Sequence, residues 1–226
     1  MSIASNIRKV REKIVETCSK AGLHPEKIAL VVATKNRDIS QVKEAMEAGI
    51  RIIGENRLQE AKRKMAFLNT EALEWHFIGH LQTNKVKQVV ELFGLIQSVD
   101  SQHLIEEISR RALMANKKVR VLIEVNAAKD PKKYGLPPED VLEFIRRNST
   151  LEGVSIRGLM TIAPMIELEK TRPYFRRMKE LFELIKAEEI PGVKMEWLSM
   201  GMSDDFPVAV EEGSNMLRLG RAIFQG

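Results

Sequence analysis

The strongest constraint in this sequence is the alternation of short β-type runs with amphipathic helical patterns. A helical pattern covers residues 3–21, and eight β-type runs follow at 27–34, 50–54, 75–79, 95–99, 119–125, 154–160, 193–199 and 216–219. One helical pattern separates each run from the next, at 39–48, 57–68, 85–92, 101–115, 138–147, 168–187 and 204–212. Strands joined by helices are parallel, because a crossover must travel back the length of the sheet. Eight such units in 226 residues fit an α/β chain closed as a (β/α)8 barrel, a fold of roughly 200–250 residues. An open doubly wound sheet is the alternative, but it needs a reversal of strand order and typically has fewer strands. No linker rich in Pro, Gly or Ser interrupts the alternation. Residues 1–226 therefore read as a single barrel domain with an extra N-terminal helix.

Composition narrows the class further. The single thiol, Cys18, excludes a disulfide framework and a cysteine-based zinc site. The most apolar stretch, 28–33, is far shorter than the ~20 residues that cross a bilayer. The charged helical pattern at 1–13 has no apolar core of signal-peptide type, so a reducing cytoplasm is expected. The net charge is +5, but the basic residues are interspersed with acids and aromatics make up only 5%. That argues against a nucleic-acid surface and leaves room for a small anionic ligand.

In a barrel the chemistry lies at the C-terminal ends of the strands. The polar residues expected there are Thr34, Lys35 and Asn36; Glu55, Asn56 and Arg57; His80; Asn126; Thr161; Ser199 to Asp205; and Gly220 with Arg221. The loops after strands seven and eight are where barrels hold phosphate. Gly201 and Ser203 precede Asp204 and Asp205, read as the first turn of a short helix whose free N–H groups favour an anion. Gly220 permits close backbone approach and Arg221 adds charge. Singly, Ser203 reads as a helix cap and Gly220 as a turn; together they read as a phosphate cradle. Lys35 follows a buried strand directly. It is either a desolvated amine suited to Schiff-base chemistry or a lysine snorkelling to water. Asn56 reads as polar lining or, more simply, as a cap for the next helix. His76 and His80 lack a third ligand for a metal. There is no Walker loop, dinucleotide fingerprint or Ser–His–Asp signature.

Six segments resemble one known family. They are Ala33-Thr-Lys35, Gly54-Glu-Asn-Arg-Leu-Gln-Glu60, Trp75-His-Phe-Ile-Gly-His-Leu-Gln-Thr-Asn-Lys85, Gly158-Leu-Met-Thr161, Leu198-Ser-Met-Gly-Met-Ser-Asp-Asp205 and Arg218-Leu-Gly-Arg-Ala-Ile-Phe224. They look like the signatures of the pyridoxal phosphate (PLP) homeostasis proteins, the YggS family. The resemblance implies a barrel like the N-terminal domain of alanine racemase, holding PLP as an aldimine on Lys35. It further implies Ser203, Gly220 and Arg221 at the phosphate, Arg218 facing the pyridine nitrogen, and Asn56 and Ser199 as further cofactor-binding residues. It implies a protein that buffers and delivers the cofactor without established turnover. Its partners would be PLP and apo PLP-dependent enzymes, with no nucleic acid or membrane, and the chain would be a monomer. The segment 126–135 and Arg221 depart from the usual family pattern.

Two other functions compete. An amino-acid racemase would use the same cofactor with a second acid or base opposite Lys35, and the only tyrosines are Tyr134 and Tyr174. Eight strand–helix units use nearly all of the chain, leaving nothing for a domain that would complete such a site. A phosphosugar enzyme would use the phosphate loops and leave Lys35 free.

Overall fold

A computed structural model describes residues 2–68 and 70–225. The chain opens with α1 (Ile3–Ala21) and continues through β1 (Ala29–Ala33), α2 (Ile39–Glu47), β2 (Ile52–Glu55), α3 (Leu58–Met65) and β3 (Glu74–Phe77). Next come α4 (Val86–Leu92), β4 (Leu95–Val99), α5 (Gln102–Met114), β5 (Val119–Glu124), α6 (Val141–Asn148) and β6 (Val154–Met160). The last elements are α7 (Arg172–Ala187), β7 (Val193–Ser199), α8 (Phe206–Glu211), β8 (Met216–Leu219) and α9 (Arg221–Phe224). The eight strands pair in parallel in sequence order and close into a barrel, with Val31 of β1 opposite Arg218 of β8. Closure excludes the doubly wound sheet.

Two apolar layers result from the side-chain alternation of the strands. Val31, Ile78, Leu95, Leu122, Met160 and Met216 meet inside the barrel. Val32, Ile53, Ile96, Val121 and Leu159 face the helices instead. α1 buries Ile3, Ile7, Val10, Ile14 and Cys18, a stripe of helical period. Ser2 caps its start and Gly22, with φ +66°, ends it. The helix packs against α2, α8 and α9, and the Asn6 amide donates to the Ile223 carbonyl at 3.0 Å. The expected extra helix thus covers the stretch of barrel wall that the four-residue α9 is too short to cover.

Helix starts differ from the sequence expectation by more than one residue at three places. Residues 138–140 and 168–171 form 3-10 turns ahead of α6 and α7. α8 begins at Phe206 rather than Asp204, because Met202 to Asp205 make a turn first. Among the described residues, no helix is long and apolar enough to cross a membrane.

Candidate functional site

A cavity of about 510 Å³ opens at the C-terminal mouth of the barrel, lined by Lys35, Asn56, Ser203, Arg218, Gly220 and Arg221 among others. Six of the seven site residues expected from the sequence therefore share one wall. A larger cavity, about 1120 Å³, lies at the opposite end around Glu74, Trp75 and Arg120, and none of the seven lines it.

Val31 and Ala33 face the barrel interior, and the same period brings Lys35 to the mouth. Lys35 is exposed, which fits, of the two readings, the lysine that reaches water and not the desolvated amine: it stands on the turn above the strand. The turn beneath it is held from inside the protein. Lys64 of α3 is fully buried and donates to the Thr34 carbonyl at 2.6 Å and to the Glu55 carboxylate at 2.5 Å. The Thr34 hydroxyl donates to the same Glu55 oxygen. Burial pushes the Glu55 carboxyl above its usual range, and the bonds from Lys64 and Thr34 oppose that shift. On the other side of Lys35, the Asn36 N–H donates to Glu60 at 3.0 Å, and Asn36 itself sits at φ +57°.

Asn56 lines the cavity and does not cap α3; Arg57 holds the cap position, with no side-chain cap bond. The capping expectation is therefore corrected in favour of the lining one. Gly79 packs against Asn56 so closely that a Cβ there would lie 2.5 Å from its carbonyl oxygen.

The opposite lip is made largely of backbone. Ser203 does not cap α8. Its hydroxyl oxygen instead accepts from the N–H groups of Gly220 (3.3 Å) and Ala222 (3.1 Å), tying the loop after β7 to the loop after β8. That leaves the hydroxyl proton for a ligand. Among the described residues the N–H groups of Ser203, Asp204 and Arg221 make no hydrogen bond. A Cβ on Gly220 would press on the Ala33 carbonyl at 3.1 Å, so the bare backbone keeps β8 close to the base of the Lys35 turn. The Arg221 side chain turns to the surface and pairs with Asp204. Asp205 closes the turn before α8 by accepting from the Met202 N–H at 2.5 Å, and burial pushes its carboxyl up.

Arg218 is buried on the cavity wall. Nη1 donates to Ser199 Oγ at 2.7 Å and Nη2 to the Thr161 carbonyl at 2.8 Å. Burial draws its pKa down to about 10, opposed by the charges of Glu124 and Asp205. Ser199, expected to touch the ligand, is absent from the cavity wall. It is fully buried behind Arg218, where its hydroxyl is engaged by Arg218 and Gln97. Glu124, only 6% exposed, ends β5, and its carboxyl is pushed up to about 7 by burial and by Asp100, against the pull of Arg218.

The segment 126–135 folds on itself. The Asn126 amide donates to the Asp130 carbonyl (2.7 Å), and its oxygen accepts from the Asp130 N–H (3.1 Å). Tyr134 stacks on His80 with ring centroids 3.7 Å apart, and His80 faces Asp100 at 3.3 Å. Sequence reasoning missed Lys64, Gln97 and Glu124. The available signal was a polar residue interrupting an apolar β-run, present for Gln97 and Glu124 and absent for Lys64.

The sequence matches the family described as alanine racemase, N-terminal domain, over residues 2–226. A pyridoxal phosphate homeostasis protein of Aquifex aeolicus is 40% identical over 225 residues, covering 99% of this chain and 98% of its own. The protein of that name in Escherichia coli K12 is 34% identical over 226 residues, covering 98% and 95%. PipY of Synechococcus elongatus, solved with PLP bound, superposes with a TM-score of 0.86 at 34% identity, covering 99% of this chain and 100% of its own. An alanine racemase of Clostridium difficile shares the fold, with a TM-score of 0.75 at 16% identity, covering 97% of this chain and 55% of its own. By these full-length matches, the chain belongs to the pyridoxal phosphate homeostasis protein family, built on the alanine racemase N-terminal barrel.

Proposed function

We propose that this chain binds PLP in the C-terminal cavity, holds it covalently on Lys35, and acts in the cytoplasm as a carrier that buffers the cofactor and delivers it. The observation that carries this reading is convergence: an accessible amine, the unpaired N–H groups of Ser203 and Arg221 and a buried guanidinium share one cavity. The three features match the three recognition needs of PLP, which are a lysine, an anion cradle and a partner for the ring nitrogen. The cofactor would supply an aldehyde, and the Lys35 amine would be the group positioned to condense with it, with loss of water.

Ser203 and the N–H groups of Ser203, Asp204 and Arg221 would hold the phosphate, and Asn56 would border the ring. Arg218 can only donate a hydrogen bond, so it would face an unprotonated ring nitrogen. A ring held in that form is a weaker electron sink than one paired with a carboxylic acid, which suits storage over carbanion chemistry. Among the described residues, Lys35 is the only side chain on the cavity wall that works readily as a base, and neither tyrosine lines it. This supports a carrier over a racemase. The chain would act as a monomer and hand PLP to apo enzymes that require it.

The test is the absorbance of purified protein titrated with PLP. A new band that Lys35→Ala abolishes is expected. Incubation with amino acids in deuterated water should give no sustained exchange at Cα, and rapid sustained exchange would favour the racemase instead.

A further inference from the structure

Barrel interiors are ordinarily filled by layers of branched apolar side chains. Here a file of buried polar side chains runs down the axis behind Arg218. Ser199 Oγ donates to Gln97 Oε1 at 2.7 Å. Gln97 Nε2 lies 3.0 Å from His76 Nδ1 and 3.2 Å from the Met216 sulfur. His76 Nε2 lies 2.9 Å from Glu74 Oε1, which also accepts from Arg120 at 2.7 Å. His76, Gln97, Ser199 and Arg218 are each at most 5% exposed.

The direction of every bond in this file is fixed from its ends. A guanidinium only donates, so Ser199 accepts from Arg218, and its one proton goes to the Gln97 oxygen, the acceptor that faces it. That turns the Gln97 NH₂ toward His76, whose Nδ1 must then be the bare, accepting nitrogen. The imidazole is held neutral with its proton on Nε2, donated to Glu74. Burial, which lowers the His76 pKa, favours the same form against the pull of Glu74. Reversing the Gln97 amide would leave the Ser199 proton without an acceptor and put a proton on His76 Nδ1, giving either a buried imidazolium or a bare Nε2 against the Glu74 carboxylate.

We infer that Gln97 and His76 are positioning residues for Arg218: the file Arg218–Ser199–Gln97–His76–Glu74 sets the angle at which the guanidinium meets the ligand in the cavity. Its bearing on PLP rests on the function proposed above, whereas its effect on Arg218 does not. A fully satisfied buried network fixes one arrangement, and a gap in it leaves a buried donor or acceptor unpaired.

The test compares wild type, Gln97→Leu, Ser199→Ala, His76→Leu and His76→Asn by two readouts. In protein without PLP, NMR follows solvent exchange of the Arg218 guanidinium protons. Gln97→Leu and Ser199→Ala should speed that exchange by about tenfold, the scale of one net hydrogen bond. His76→Asn, whose Oδ1 can still accept from Gln97, should stay closer to wild type than His76→Leu. With PLP, the pH midpoint of the absorbance band should move in Gln97→Leu in the same direction as in Arg218→Ala. Wild-type exchange rates in folded Gln97→Leu would overturn the inference; if that variant does not fold, wild-type rates in folded His76→Leu overturn it instead. If wild type gains no band with PLP, the proposed function fails, and the exchange rates still decide the role of Gln97.

Discussion

The two sides of the cavity are built on opposite principles. The floor, under Lys35 and behind Arg218, consists of fully buried polar side chains paired with one another: Lys64 with Glu55 and Thr34, and Ser199 with Arg218 and Gln97. The lip, at Ser203 to Asp204 and Gly220 to Arg221, is backbone N–H groups, one hydroxyl and an exposed ion pair. Floor groups have surrendered their water and depend on their partners; lip groups keep their hydrogen-bonding capacity for something that arrives. Damage to the floor should therefore appear as lost stability, and damage to the lip as lost ligand.

The largest expected effect is on the floor. Lys64→Met leaves the Glu55 carboxylate buried without its cation, which should cost about 3–5 kcal/mol. Urea unfolding checks this, and adding Glu55→Leu to the same protein should recover much of the loss. A cost under about 1 kcal/mol would place this pair with ordinary surface ion pairs and erase the contrast.

Glu124 tests the floor through pH. Its carboxyl is raised from 4.5 to about 7 in the folded chain, so the folded state holds a proton that the unfolded state has released. The sign follows: stability from this group is lost as pH rises between about 4.5 and about 7 and does not fall further above that. Glu124→Gln removes the dependence. Relative to wild type it should gain about 3 kcal/mol between pH 4 and pH 8. A parallel stability profile for the two proteins across that range would contradict the burial argument.

The lip effects are smaller and of another kind. Ser203→Ala should weaken PLP binding by ~1.5–3 kcal/mol, the scale of a hydrogen bond to a charged group, while costing at most about 1 kcal/mol of folding stability, because the Gly220 and Ala222 N–H groups that lose the hydroxyl are half-buried and can turn to water. Equilibrium dialysis and the same unfolding experiment separate the two. Arg221→Ala should alter stability by less than about 1 kcal/mol, because its pair with Asp204 is exposed. A larger effect would mean that the lip is structural after all.

The fold was legible because its signal repeats. β4, β6, β7 and β8 occupy the residues that the apolar runs mark, and any single misjudged boundary leaves eight units standing. The helix starts that shifted by more than one residue are those where a 3-10 turn or a hydrogen-bonded turn precedes the helix, before α6, α7 and α8, while β1, β2 and β3 and the end of α3 moved by up to three residues. Such turns have no periodicity to read.

The lip was legible too, because Ser203, Gly220 and Arg221 are residue types with special backbone or anion chemistry. The floor was not. Lys64 sits in a helix reading Leu-Gln-Glu-Ala-Lys-Arg-Lys-Met, which looks solvated. Only Glu55 and Thr34, brought close by the β1–β2 pairing, make that lysine a buried one. Ser199 and Gln97 did leave a trace, as polar residues in apolar strands. Their meeting, 102 residues apart in sequence, requires the barrel to close.

The central claim is that Lys35 and the lip together hold PLP, and the absorbance spectrum tests it most directly. Purified wild-type protein mixed with PLP should show a band that free PLP lacks. Lys35→Ala should lose the band, and Ser203→Ala should keep it at a higher PLP concentration. A wild-type protein that gains no band, or a Lys35→Ala protein that retains it, contradicts the account.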